Sequence, residues 1–336
     1  MRRTIVKGKI VKFIPGLVIM AVFYTLAIVL WKAKNYPLFL FNFSIMGTLL
    51  GLGFGLWPIL KKDNRDFARK LTMLLTGSYI FFGFGLGLIY PFFGYLRTEN
   101  FQFEGFLFYL LLGGFAGTVY HYTIAKIIGP FLFGRTFCGW VCWTAAILDY
   151  LPWEKSGGRI GVKWEFIRYI LFFTILGAVL LLLFVFNYSG LDTARDRYNE
   201  FPDPETIFLK FITLKEFWWF VVGNFLYYLT SIILAAALKD NRAFCKYVCP
   251  ITVLMKIGTG FSILKIKGDR NKCTQCGTCE RQCMMNIQIT DFTKKGKRIS
   301  STECIQCRNC VRVCPNDALS LTFGFDSGFG DHVKRK

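Results

Sequence analysis

Long apolar runs recur along this chain at about 13–31, 38–60, 71–96, 105–127, 166–187 and 217–238. Each is close to the roughly 20 residues that a helix needs to cross a bilayer. A composition of 54% hydrophobic and 18% charged residues is likewise too apolar for an ordinary soluble protein. The expected fold is therefore an α-helical polytopic membrane protein with about six transmembrane helices. The fourth run continues past Gly129-Pro130 to Gly134, which predicts a short half-helix bringing the chain to the surface. The first run has a basic start, but it is longer than a signal-peptide core and no small-residue cleavage site follows, so it reads as a retained helix.

The lysines and arginines sort by side. Placed on the six-helix scheme, 33 of them fall on the side of the N-terminus and seven on the other, with Lys126 at a helix end. Basic residues collect on the cytoplasmic side, so both termini are expected in the cytoplasm of a cell with an inner membrane. The same distribution accounts for the net charge of +20 through contact with anionic lipid, without nucleic acid as a partner.

From about residue 267 the apolar runs stop and cysteines take over. Cys273, Cys276, Cys279 and Cys283 are followed by Cys304, Cys307, Cys310 and Cys314, the last with Pro315. Two C-x2-C-x2-C triplets, each with a fourth cysteine, are the ligand spacing of two 4Fe-4S clusters, in which the fourth cysteine of each run serves the other cube. Cys273, Cys276, Cys279 and Cys314 are thus expected on one cluster, and Cys304, Cys307, Cys310 and Cys283 on the second. Zinc sites would use two cysteine pairs per metal, often with histidine. A disulfide framework is at odds with a reducing cytoplasm. Residues 267–322 are too few for a sizeable core, so the clusters staple a C-terminal α+β two-cluster ferredoxin-like domain. The expected layout is a membrane domain over 1–250, an amphipathic connector over 251–266, the cluster domain over 267–322 and a basic tail over 323–336. The cluster domain carries ten basic and five acidic side chains, fit either to dock an acidic electron carrier or to lie against lipid.

Four cysteines remain, in an internal repeat. Residues 134–143 read GRTFCGWVCW and residues 241–250 read NRAFCKYVCP, aligning Cys138 with Cys245 and Cys142 with Cys249. Cysteines four apart lie on one helix face, and a pseudo-twofold arrangement would bring the two pairs together. Four thiolates can hold an additional iron–sulfur cluster. Redox cycling of a thiol pair, favoured by Arg135 and Arg242, is a second reading, and plain buried structural cysteine is a third.

With these motifs in hand, the chain resembles the NapH, NosR and MauN group of membrane-bound polyferredoxin-like proteins. The resemblance rests on Cys138 to Cys142, Cys245 to Pro250 and the two quartets, with Trp143 standing where the group usually has proline. Asp149, after the first motif, is also similar. The resemblance implies electron transfer between the quinone pool and a redox partner, either a soluble electron carrier or respiratory complex subunits. Members of the group serve periplasmic nitrate reduction, nitrous oxide respiration or amine oxidation, and the sequence does not choose among them.

His121, Tyr122 and Lys126, with Tyr120, set proton-handling groups in the fourth run and are the candidate quinone site; simple packing is the alternative. A membrane haem needs paired axial ligands, and His121 is alone in the membrane. No dinucleotide fingerprint is present. Segment 188–216 carries acidic residues but no copper-type ligands. Asp149 is expected at a helix end or turn, and the glycines of 47–55 and 77–94 are expected at close helix contacts. A non-enzymatic redox sensor, or a maturation factor that reduces a metal such as copper, is the rival to the electron-transfer reading.

Overall fold

The computed structural model describes residues 2–94, 97–113, 116–153, 158–188 and 212–335, with side chains from residue 10 onward. Most of the acidic stretch at 188–216 lies outside the described residues. Among the described residues, four helices are long and apolar enough to cross a membrane: Ile10–Lys34, Pro37–Leu56, Val162–Phe184 and Lys215–Leu238. Their side chains face outward, with Val22, Phe173, Phe184 and Phe225 more than half exposed, as lipid-facing residues are.

The expected spans at 71–96 and 105–127 are corrected by the structure, because neither is one continuous helix. In the first, α-helix Asn64–Ser78 passes into a π-helical stretch, Tyr79–Gly85, and then breaks. Gly87 and Gly94 adopt left-handed φ of 78° and 76° around a short turn, Tyr90–Phe93, which contains Pro91. In the second, helix Phe103–Leu111 ends towards Gly113 at φ 68°, and the chain restarts at Gly117–Tyr122. It continues through π-helical Thr123–Ile128 into Gly129–Phe133, the expected half-helix, with Pro130 in its first turn where its missing N–H costs nothing.

The first two helices pack through glycine. Gly47, Gly51 and Gly55 repeat every fourth residue on one face, and a Cβ on any of them would run into Phe23, Met20 or Phe13 of the first helix. Small residues at that spacing let backbones approach where no hydrophobic driving force separates helix from lipid. Gly77 plays the same part against the backbone of Trp143.

After helix Ile251–Gly260 the cluster domain begins with strand β1 (Leu264–Gly268), paired antiparallel with β2 (Leu319–Phe323) from Leu264 opposite Phe323 to Gly268 opposite Leu319. Ile266, Met285, Ile287, Ile289, Ile299 and Ile305 form its small core. Residues 323–335 run back across the domain: Gly328 N–H donates to Gly260 O at 3.0 Å, Lys334 N–H to Asn286 O at 2.7 Å, and Val333 joins the core.

Candidate metal centres

Two hollows lie in the cluster domain, each with about 360 Å³ of empty volume. Cys273, Cys276, Cys279 and Cys314 line one, and Cys283, Cys304, Cys307 and Cys310 line the other. Matched loops shape them. Gln275 and Gln306 take left-handed φ of 58° and 54°, Gly277 and Arg308 of 71° and 62°, and Asn286 and Asp317 of 57° and 50°. The backbone N–H four residues after the last cysteine of each run donates to its sulfur, Ile287 to Cys283 at 3.4 Å and Ala318 to Cys314 at 3.2 Å. Among the described residues no three His, Cys, Asp or Glu side chains close on a point suited to a single metal ion. The thiols surround a volume instead.

The hollows differ in surroundings. The first has polar walls, Lys272, Thr274, Gln275 and Asn316, and its Cys276 is exposed. The second is walled by Ile266, Met285, Ile287, Ile289, Ile299 and Ile305. Burial pushes the Cys304 and Cys307 thiols up to about 12 and about 11, so these thiolates need a cationic partner to persist.

The two C-x3-C segments have the same backbone. One helical turn, Thr136–Trp140 or Ala243–Tyr247, is followed by N–H groups of Cys142 and Cys249 donating to the carbonyls of Phe137 (3.0 Å) and Phe244 (2.9 Å). The expected helix face therefore gives way to a turn at Cys142, which is extended at φ −62° and ψ 120°. The two segments nevertheless come together, with Arg242 of the second donating to Cys138 O of the first at 3.0 Å. Burial pushes Cys142 up to about 11, reinforced by the charges of Cys138 and Cys245, and raises Cys249 further, reinforced by Cys245, Cys138 and Cys142.

Arginines surround this foursome. Buried Asp149 pairs with Arg242 at 2.6 Å and Arg69 at 2.8 Å. Arg242 then donates to Cys138 O at 3.0 Å and approaches Cys245 Sγ at 4.0 Å, while Arg69 donates to Gly139 O at 3.0 Å. Asp149 caps helix Trp143–Leu148 as expected, but it also ties the two motifs together. On the other side, buried Glu303 collects Arg159 (2.8 Å), Arg168 (2.9 Å), Lys256 (3.0 Å) and Arg135 (3.1 Å). Burial opposes its ionisation, yet the charges of Arg159, Arg135, Arg168 and Lys256 win and hold the carboxyl well below its usual range.

The first motif rests directly on the second hollow. A Cβ on Gly139 would collide with Ile305 O, Cys307 N lies 3.4 Å from that same Cβ position, and Trp140 Nε1 donates to Gln306 O at 2.9 Å. Cys138 packs against the core of the cluster domain.

A family model described as a 4Fe-4S dicluster domain matches residues 265–315, and one described as a 4Fe-4S binding domain matches twice, at 122–163 and 225–267. An uncharacterized protein of Methanocaldococcus jannaschii is 30% identical over 210 residues, 59% of this chain and 69% of that protein. The putative electron transport protein YccM of Escherichia coli is 26% identical over 201 residues, covering 60% of this chain and 54% of YccM. The ferredoxin-type protein NapH of the same organism is 22% identical over 202 residues, 58% of this chain and 64% of NapH. The chain belongs to the membrane-associated 4Fe-4S ferredoxin-type proteins. It spans little more than half of YccM and under two thirds of NapH. No solved structure matches.

In this ferredoxin-type protein the candidate quinone residues lie beside the first C-x3-C motif. Lys126, 1% exposed, sits 3.8 Å over the Tyr122 ring, 5.0 Å from Phe137 and 5.3 Å from Trp143. His121 faces Phe137 at 5.3 Å and Phe101 at 5.4 Å, and its Nε2 is buried without a hydrogen-bond partner. Tyr120 is 55% exposed. Trp143, in the position where proline was expected, donates from Nε1 to Asn224 Oδ1 at 3.1 Å, which anchors the motif to helix Lys215–Leu238. Sequence reasoning missed Arg69 and Glu303. Glu303 carries one local signal, a carboxylate directly before Cys304 of the second quartet, and its partners are distant in sequence.

Proposed function

We propose that this protein passes electrons between a soluble carrier and a quinone, through two 4Fe-4S sites and a third iron–sulfur site held by Cys138, Cys142, Cys245 and Cys249. The observation that carries the reading is the serial order of the sites. The quartet that exposes Cys276 is followed by the quartet around buried Cys310, which abuts the Gly139 backbone of the C-x3-C foursome, and beyond it stand His121, Tyr122 and Lys126. Bound clusters would supply the one-electron chemistry. The protein's residues keep the sites in contact and set Arg69, Arg135 and Arg242 around the C-x3-C cysteines. Excess buried cation is the environment an anionic tetrathiolate centre requires, and its cost is otherwise hard to offset.

The charge asymmetry of the sequence supports placing the cluster domain and both termini on the cytoplasmic side of an inner membrane. The basic side chains near the first quartet, Arg270, Lys272 and Arg281, fit an acidic carrier.

Iron and acid-labile sulfide measured on anaerobically purified protein test the third site. Three cubes give about twelve irons and two give about eight. About eight irons, or a count unmoved by Cys138→Ser with Cys245→Ser, removes the third site. Failure of the reduced protein to pass electrons to menadione, alone or with respiratory subunits, favours the sensor or maturation role instead.

A further inference from the structure

The broken spans bring buried polar groups into the membrane domain where continuous helices would have presented apolar ones. Helix Lys215–Leu238 serves as a ruler: its far end leads to the cluster domain, so Glu216 marks the opposite membrane face. Asn224, eight residues on, lies about 12 Å deeper. At the Glu216 level, Tyr109 OH donates to Glu216. Beside it Glu99, 1% exposed, accepts from Tyr90 OH at 2.9 Å and Thr118 N–H at 2.8 Å, and pairs with Arg97 at 3.0 Å. Arg97 keeps 30% of its side chain exposed and forms the opening of the cluster.

The non-helical stretch Thr98–Gln102 then carries polar groups inward. Thr118 Oγ1 donates to Asn100 O at 3.2 Å, and Asn100 Oδ1 accepts from Gln102 N–H at 3.0 Å. The Gln102 amide, turned to satisfy both neighbours, donates to Glu104 and accepts from Asn224. Glu104 lies within electrostatic reach of Lys126, and Asn224 accepts from Trp143, next to Cys142. Non-helical backbone at membrane depth is tolerated only inside protein or along a hydrated cavity, and intramembrane carboxylates cost enough to mark function. Thr98, 2% exposed, adds a buried hydroxyl with no partner in the same stretch.

The geometry points to a proton path between the membrane face opposite the cluster domain and the His121 and Lys126 side chains, through Glu216, Tyr109, Tyr90, Glu99 and Glu104. This inference rests on the quinone reading above. Reduction of a quinone takes two electrons from the cluster side and two protons, giving the quinol; oxidation releases both. With electrons and protons exchanged at opposite faces, turnover moves charge across the membrane in either direction.

The test uses the full chain in sealed vesicles oriented with the cluster domain outside, a pH dye trapped in the lumen, reduced viologen outside and menadione in the bilayer. The expected result is luminal alkalinisation in step with viologen oxidation. Glu99→Gln and Glu104→Gln should each slow it by roughly a hundredfold, the scale of a lost proton-transfer group, with iron content and dithionite bleaching unchanged. Protons drawn from the outer medium, or luminal uptake unaffected by both variants, overturns the path and leaves the quinone reading standing. No electron transfer to menadione in the unaltered protein overturns the quinone reading and the path with it.

Discussion

Glu303→Gln isolates what fastens the cluster domain to the membrane domain. Glutamine keeps the shape of the side chain and removes its charge, leaving four cations within 2.8–3.1 Å of where the carboxylate stood. Two of them keep a second acid: Arg159 has Glu165 at 3.5 Å and Lys256 has Asp331 at 2.9 Å. Arg135 and Arg168 have no other carboxylate among the described residues. Breaking a buried pair by removing one partner costs about 3–5 kcal/mol. That is roughly two to three and a half orders of magnitude in the equilibrium between docked and opened interface. Arg135 belongs to the first C-x3-C motif, Arg168 to helix Ile167–Phe184 and Glu303 to the cluster domain, so the loss should appear where these meet. Hydrogen–deuterium exchange on the full chain in detergent reads it directly. Peptides covering 136–142, 256–268 and 299–307 should lose protection by that factor while the glycine-packed first two helices do not change. Equal exchange at the interface in both proteins would show that Glu303 is not the fastener. Adding Arg135→Gln to the variant should cost less than it does alone, since the two residues share one interaction.

Gly139→Ala should cost about 1–3 kcal/mol, because the new methyl meets the rigid Ile305 carbonyl. Transient absorption after flash reduction should show slower electron equilibration between sites at unchanged iron content. Trp143→Phe removes the donor to Asn224 Oδ1 and leaves a buried acceptor unpaired, lowering stability by about 1–3 kcal/mol, read as a lower melting temperature in detergent. Gly51→Val forces the first two helices apart at Met20 and should lower the melting temperature without loss of iron, since its added methyls meet Met20 and Gly16 of the first helix.

The cysteine quartets were legible because ligand spacing is a covalent constraint that no tertiary context can override. The same runs of sequence lead to an expected exchange of Cys314 and Cys283 between runs, and in the structure Cys314 lines the hollow of Cys273, Cys276 and Cys279 while Cys283 lines that of Cys304, Cys307 and Cys310. Glycine spacing at 47, 51 and 55 was legible for a similar reason, since only one helix face can carry it. The broken spans were not. Hydropathy averaged over a bilayer's width does not register that Gly87, Gly94 and Gly113 turn left-handed, or that Glu99, Glu104 and Glu216 find partners inside. The four-residue cysteine spacing suggested a helix face, yet Val141 leaves helical geometry at φ −132° and ends the turn. The pairing of Glu303 was not legible because its four partners lie at 135, 159, 168 and 256, and pairing over such separations leaves no periodic trace.

The placement of Asp149 and Glu303 follows from the chemistry they flank. Burial first, and then the neighbouring cysteines, push the Cys142 and Cys249 thiols up, so thiolates there call for cations beside them. Those cations are themselves too costly to bury alone. A carboxylate in direct contact with the thiolates would defeat the purpose, and the structure sets each acid one step back, behind an arginine. Asp149 holds Arg242 against Cys138 O and near Cys245 Sγ, and Glu303 holds Arg135 three residues before Cys138. Charge therefore alternates acid, arginine, thiolate along two directions that converge on the first motif. Since Glu303 is also the residue before Cys304, the second of these lines joins the C-x3-C foursome to the buried quartet through a single arginine–carboxylate pair. That pair, together with the Gly139–Ile305 contact and the Trp140–Gln306 hydrogen bond, holds the first motif against the second hollow.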